Sequence, residues 1–232
     1  MQKNELIKTP QKKKIKSISL RVVVALFSFL AAIFIFGAIA HEVLGEKEQD
    51  FDLKVFQFLK NLTNDNLVGF ASALSFFGSY YFLIPAYVLI VTFLFLTKKR
   101  SIAINVMIIA ISSTELMFLV KDIYRRHRPD LPLLRELNGY SFPSGHALDS
   151  FIFCSVLIFL VWQSKRSLTW KYILAAFLLL FSIMIGASRI VLRYHYASDV
   201  LAGFALAFAW VIFSFWILGK INRKTNSSEE RT

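Results

Sequence analysis

Apolar runs of about twenty residues recur along the chain, each closed by a short polar stretch. Residues 22–40, 80–97, 172–188 and 200–219 carry no charge, 102–120 carries only Glu115, and 147–162 carries only Asp149. A helix needs about 20 apolar residues to cross the hydrocarbon of a bilayer. The pattern therefore predicts an all-α polytopic bundle of six transmembrane helices, at about 22–40, 79–97, 102–120, 146–163, 171–188 and 199–219. The first reads as an uncleaved span, because its run exceeds the roughly 7–15 apolar residues of a signal-peptide core.

The segment 41–78 holds three Lys and six acids. Within it Phe51, Val55, Phe58, Leu59 and Leu62 recur at helical spacing. They predict a short amphipathic helix that rests on the outer leaflet or caps the bundle. Residues 67–78 are also uncharged and are assigned to the same outer segment. Orientation follows from Lys and Arg, which accumulate on the cytoplasmic side. With the N-terminus inside, the cytoplasmic segments are 1–21, 98–101, 164–170 and 220–232, and every one is basic. Both termini are then cytoplasmic, and 41–78, 121–145 and 189–198 face outward. The tail around Lys12, Lys13, Lys14 and Lys16 needs no further role than topogenic charge and attraction to anionic lipid. The organisation expected is a basic tail over 1–21, one membrane-embedded domain over 22–219 and a cytoplasmic tail over 220–232.

Composition narrows the class. Hydrophobic residues make up 56% of the 232, yet 27 Lys and Arg against 15 Asp and Glu give a net charge of +12. A disordered chain would lack that apolar content, and a single cysteine, Cys154, excludes a disulfide scaffold. The basic residues sit between spans and not on one face, which argues against nucleic acid as a partner. The partner expected from this pattern is the bilayer; oligomeric state is left open.

Ionisable residues gather at three helix ends on the outer side. The first group runs Lys121-Asp122-Ile123-Tyr124-Arg125-Arg126-His127-Arg128-Pro129, the second is Pro143-Ser144-Gly145-His146, and the third runs from Ser188-Arg189 to His195 and Asp199. Charged groups beside apolar spans are costly and point to function. Lys121 and Arg128 share a helix face if the helix continues, although Pro129 should stop it near Arg128. His195 and Asp199, four apart, are neighbours on one face. The carboxylate fixes the imidazole tautomer, favours its charged form and leaves the far ring nitrogen free. Pro143 to His146 reads as a turn entering a helix, whose free N–H groups suit an anion. Ser144 adds a hydroxyl donor, and Gly145 permits close backbone approach. No clear metal-ligand set is present. Three cations, an anion-friendly helix start and two histidines together suit phosphate. One histidine would attack phosphorus and the other would protonate the leaving oxygen.

At these residues the sequence resembles the type 2 phosphatidic acid phosphatase superfamily of integral-membrane lipid phosphatases. That family's motifs K-x6-R-P, P-S-G-H and S-R-x5-H-x3-D stand here as Lys121 to Pro129, Pro143 to His146 and Ser188 to Asp199. The resemblance covers most of 22–219. It implies that His195 is the nucleophile of a phosphohistidine intermediate, that Asp199 orients it and that His146 is the general acid and then base. It further implies that Lys121, Arg128, Ser144, Gly145 and Arg189 hold the phosphate, and that neither metal nor cofactor is needed. The expected reaction is hydrolysis of undecaprenyl diphosphate, phosphatidylglycerophosphate or phosphatidate at the outer face.

Four residues are not absorbed by the motifs. Arg193 reaches either a second phosphate or lipid headgroups. Asp149 either tunes His146 or makes a capping or interhelical hydrogen bond. Glu115 pairs with a polar group inside the bundle, and Cys154 is a small packing residue. The rival class is a lipid transporter or a non-catalytic lipid-phosphate-binding relative, against which the intact histidine pair and Asp199 argue. Vanadate-dependent haloperoxidases share the motifs but are soluble, which six spans oppose.

Overall fold

The computed structural model describes residues 20–45 and 50–229, so the basic N-terminal tail lies outside the described residues. All regular structure among them is helical: α1 (Leu20–Gly45), α2 (Asp50–Lys60), α3 (Asp65–Phe77), α4 (Tyr80–Leu96), α5 (Arg100–Tyr124), α6 (Gly145–Trp162), α7 (Leu168–Val191) and α8 (Ala197–Glu229). Six stretches are long and apolar enough to cross a membrane: Val22–Gly45, Asp65–Leu96, Arg100–Tyr124, Gly145–Trp162, Leu168–Val191 and Ala197–Lys220. The six-span bundle expected from run length is present.

Two boundaries differ from expectation. Residues 67–77, assigned to the outer segment, make up most of α3, which packs against α7 and belongs to the second candidate span. The Asn64 side chain starts this helix by accepting the Leu67 N–H at 2.9 Å, leaving its uncharged residues to continue as helix. The apolar run then breaks at Gly78 and Ser79, where Ser79 Oγ donates to the Phe76 carbonyl at 2.6 Å, before α4 resumes. α8 also continues past 219, as far as Glu229.

α6 lies between α7 and α8, α1 runs along α8, and α4 pairs with α5. The core is made of small and branched residues such as Ala103, Val106, Leu148, Ile152, Ala202 and Ala207. Without a water-driven hydrophobic effect between spans, close packing of small residues holds them together. Gly203 shows how close. A Cβ there would stand 2.7 Å from the Ser144 carbonyl oxygen, so only glycine lets α8 approach the start of α6. The outer surface is apolar: Phe27, Phe34, Leu89, Leu96, Phe118 and Phe177 are all exposed, as lipid contact requires.

α2 does cap the bundle, over the starts and ends of α8 and α7. Phe51 and Phe58 of its apolar stripe stay exposed, as does Leu62 just beyond the helix, and its buried side is led by Asp52. The alternating helices bring the ends of α5 and α7 together with the starts of α6 and α8.

Candidate active site

α5 stops at Tyr124, where Arg125 turns left-handed with φ 45°. Lys121 and Arg128 are therefore not on one helix face, because the helix ends before the proline could stop it. Arg126 goes inward and is buried, whereas Arg128 returns toward the helix ends. Lys121 Nζ donates to the carbonyls of Tyr140 and Ser141 at 2.7 and 3.3 Å, tying α5 to the loop before α6. Arg128 is held by the Gly139 and Tyr194 carbonyls at 3.1 and 2.8 Å.

Ser144 caps α6, with its Oγ facing the Ala147 N–H at 3.5 Å and its own N–H bonded to the Asp199 carbonyl at 3.0 Å. Its hydroxyl is fully buried in that role and does not line the cavity described below. Gly145 and His146, one and two residues on, do line it.

Arg189 sits in the last turn of α7 and is 4% exposed. Nη1 donates to Ser75 Oγ on α3 at 2.5 Å, the guanidinium lies 4.4 Å from the Tyr194 ring, and Nε is buried without a partner. The loop that follows carries His195, 2% exposed, between two charged neighbours. Nε2 is 3.3 Å from Arg128 Nη1, and Nδ1 is 3.4 Å from Asp199 Oδ2. Arginine only donates, so Nε2 accepts and the ring proton belongs on Nδ1, facing Asp199. The Nδ1 contact is longer than an ordinary hydrogen bond, and such contacts commonly tighten when substrate binds. Burial, then the charges of Arg189, Lys121 and Arg128, push the pKa of His195 well below the ordinary value, with the Ser141 carbonyl opposing. The imidazole is thus neutral, and not in the charged form that a carboxylate neighbour alone would favour.

Lys121, Arg128, Gly145, His146, Arg189 and His195 all line one cavity of about 1090 Å³. It is a groove running down between α4 and α5, from Lys121 to Ala110 on one wall and from Tyr80 to Val88 on the other. Eleven helical residues separate Lys121 from Ala110, about 16 Å of depth. Many wall residues, including Phe76, Tyr80, Ile84, Val88, Ile111 and Phe118, are also exposed on the apolar outer surface, so the groove opens sideways. Among the described residues, none of Lys121, Arg128 and Arg189 forms a salt bridge with a carboxylate. Charge without counter-charge, much of it buried, is costly unless an anion completes it.

A family model described as the PAP2 superfamily matches residues 100–223, which carry all three motifs and more than half of the chain. The chain belongs to the PAP2 superfamily. Phosphatidylglycerophosphatase B of Bacillus subtilis is 28% identical over 133 residues, 56% of this chain and 64% of the relative, so the chain spans less than two thirds of that protein. Undecaprenyl-diphosphatase of Sulfolobus acidocaldarius is 27% identical over 175 residues, 73% of this chain and 79% of the relative. The fold matches the crystal structure of a transmembrane PAP2-type phosphatidylglycerolphosphate phosphatase from Bacillus subtilis, with a TM-score of 0.76 at 22% identity, over 85% of this chain and 97% of that one. PAP2 membership and six candidate spans make this a multi-pass membrane protein.

Within this PAP2 site several residues lie where the sequence did not place them. Arg193 does not line the groove but a neighbouring pocket with Pro129, Asp130 and Glu136, which shares Arg128, Leu137 and Tyr194 with the groove. Glu115 and Asp149 both line the groove, and Glu115 is exposed to it and not paired inside the bundle. Cys154 is buried, as expected of a packing residue. Gly78 is a further member. A Cβ there would fall 2.5 Å from Ile185 and 3.1 Å from the His146 ring, so its bareness admits His146 to the groove wall. Arg126 and Asp52 are the two charged residues missed; one was a cation in an arginine-rich run, the other an acid in a segment read as surface.

Proposed function

We propose that this protein is a lipid phosphate phosphatase that cleaves a phosphomonoester or diphosphate headgroup through a phosphohistidine at His195. One observation carries the reading: three cations without carboxylate partners share one cavity with a buried imidazole whose Nε2 faces Arg128, at the head of a groove with an apolar, exposed wall. In the reaction, the Nε2 lone pair attacks phosphorus and the bond to the lipid oxygen breaks. That oxygen keeps the electron pair and takes a proton from His146. The ring retains its Nδ1 proton and becomes cationic, facing Asp199. Water then gives a proton to His146 and attacks phosphorus, the P–N bond breaks, its electrons return to Nε2, and phosphate leaves. Lys121, Arg128 and Arg189 hold the phosphoryl oxygens, with the free N–H groups of the α6 start at Gly145. Ser144 contributes as the cap that frames this helix end. The mechanism calls for no metal.

The apolar walls would hold the lipid chains while the headgroup reaches the cations, so the substrate need not leave the bilayer. Undecaprenyl diphosphate, phosphatidylglycerophosphate and phosphatidate all satisfy this demand, and rates compared in parallel would rank them. Residues 22–219 act as one domain. The basic segments support a topology with both termini in the cytoplasm and the site outside. A cysteine replacing Asn138 should then react with an impermeant thiol reagent on intact cells, and one replacing Ser167 should not; both positions are exposed. The reaction is tested by phosphate release from purified protein in detergent with EDTA. Wild type should be active and His195→Ala inactive. Phosphate release by His195→Ala at the wild-type rate would remove the nucleophile, and EDTA inhibition reversed by a divalent metal would remove the metal-free mechanism.

A further inference from the structure

On the side of His195 away from the groove, four residues from three parts of the chain form a closed hydrogen-bonded group. Arg126 Nη2 donates to Asp52 Oδ2 at 2.9 Å, and Nη1 donates to Asp199 Oδ1 at 2.7 Å and to Ser198 Oγ at 2.8 Å. Ser198 in turn donates from Oγ to Asp52 Oδ2 at 2.6 Å and from its backbone N–H to Asp52 Oδ1 at 2.9 Å. Asp52 thereby caps the start of α8 from outside the helix, while Asp199 Oδ2 takes the Tyr196 N–H at 3.0 Å. The guanidinium lies 4.0 Å from the Tyr196 ring, which packs on Phe56 of α2. Asp52 is 1% exposed and Asp199 0%. None of Asp52, Arg126, Ser198 and Asp199 lines the groove, so none of them can touch substrate there.

We propose that Asp52 and Arg126 are positioning residues for the His195–Asp199 pair, and that Asp52 keeps Asp199 electrostatically effective by neutralising Arg126. Two carboxylates against one guanidinium leave a net charge of −1 beside the imidazole. Arg126 takes Asp199 Oδ1, which turns Oδ2 toward His195 Nδ1. Were Arg126 matched by Asp199 alone, that pair would be neutral and its field at the ring largely cancelled. The retained negative charge is needed when Nε2 bonds to phosphorus and the ring becomes cationic. Burial disfavours the charge on Arg126, but Asp199 and Asp52 together outweigh it and raise its pKa, so the guanidinium is a permanent member.

The inference rests on His195 being the nucleophile and is tested beside it. Around His195 stand Lys121 of α5, Arg128 of the following loop, His146 and Asp149 of α6, Arg189 and Tyr194 at the end of α7, and Asp199 of α8. Removing the Asp52 charge, which lies behind Asp199 across Arg126, lowers the pKa of the ring. Asp52→Asn should therefore cut kcat by about 10- to 100-fold, leave KM within about threefold, and move the acid limb of kcat/KM down by roughly one pH unit. Asp52→Asn/Arg126→Gln removes one charge of each sign, and its acid limb should return to the wild-type position. A merely structural role would lower activity without moving and restoring the limb. Wild-type kcat with an unmoved limb in a folded Asp52→Asn protein would overturn the inference. If Asp52→Asn does not fold, a displaced limb in the double variant overturns it and an unmoved one supports it. His195→Ala, assayed alongside, separates the two ideas: activity there defeats the nucleophile, whereas inactive His195→Ala with unaffected Asp52→Asn defeats this inference alone.

Discussion

His195 divides its cations into two regions that follow opposite rules. Behind it, Arg126 is enclosed by Asp52, Asp199, Ser198 and the Tyr196 ring. In front, Lys121, Arg128 and Arg189 are held by carbonyls, a hydroxyl and a ring, with no carboxylate counter-ion among the described residues. Arg126 and Arg128 are two residues apart in the loop that opens with the left-handed turn at Arg125, yet one meets Asp199 and the other His195 Nε2. A buried cation matched by carboxylates fixes geometry, and one left unmatched is poised for an anion that folding does not provide.

Removing one arginine from each region should break them apart most sharply. Arg189→Met should lower kcat/KM by at least about 10²-fold, because a donor aimed at the developing phosphoryl charge is lost. It should leave the thermal midpoint in detergent unchanged or raised, since it deletes a buried charge that has no carboxylate partner. Arg126→Met should instead destabilise the fold by roughly 3–5 kcal/mol, because Asp52 and Asp199 are left buried and facing each other. Equal losses of stability in the two variants would erase the distinction.

The unmatched region also sets a pH signature. His195 is held neutral by burial and by Arg189, Lys121 and Arg128. A nucleophile with a depressed pKa is active above that pKa and lost only as pH falls through it. The acid limb of kcat/KM should therefore lie below the ordinary histidine value of about 6.5. Arg128→Gln removes one of those charges and should move the limb upward, even as the rate drops. A limb at or above 6.5 in the wild type would mean that another group controls it.

Much of this site was legible in the sequence, for identifiable reasons. The spans follow from run length alone, and Lys121, Arg128, His146, Arg189 and His195, which meet in one cavity, stand out by their spacing at helix ends. What was not legible depends on tertiary contact. Asp52 meets Ser198 across 146 positions, and as one of six acids in a segment of mixed charge it carried little signal. Its place beside Phe56 and Leu59, at the margin of the apolar stripe of α2, was the only hint. The direction of Arg126 is fixed by Asp52 and Asp199, partners far along the chain, beyond a left-handed turn at Arg125 that its residue type does not favour. α3 does not stand out in the sequence because its uncharged run adjoins a longer one, and only the cap at Asn64 marks its start.

The two regions meet where α8 crosses the start of α6, and Gly203 measures how tightly. Its missing Cβ leaves room for the Ser144 carbonyl, an immovable backbone atom. Gly203→Ala should push α6 from α8, costing about 1–3 kcal/mol of stability, with a smaller fall in kcat/KM than Arg189→Met. Chemical denaturation in detergent and steady-state kinetics would read both. An alanine tolerated without cost in either would show that this contact does not hold the helix start in register with Asp199.

The smallest effect belongs to a third pair, which isolates the part played by burial. Arg125 and Asp122 form a 2.8 Å salt bridge as well matched as Arg126 with Asp199, but their side chains are 62% and 69% exposed. Water and salt screen such a pair, and the side chains lose conformational freedom in making it. Asp122→Ala should change stability by no more than about 0.5 kcal/mol and leave kcat, KM and the acid limb unmoved. A loss comparable to that of Arg126→Met would mean that matching alone, and not matching in a buried place, makes the Asp52–Arg126–Asp199 group matter.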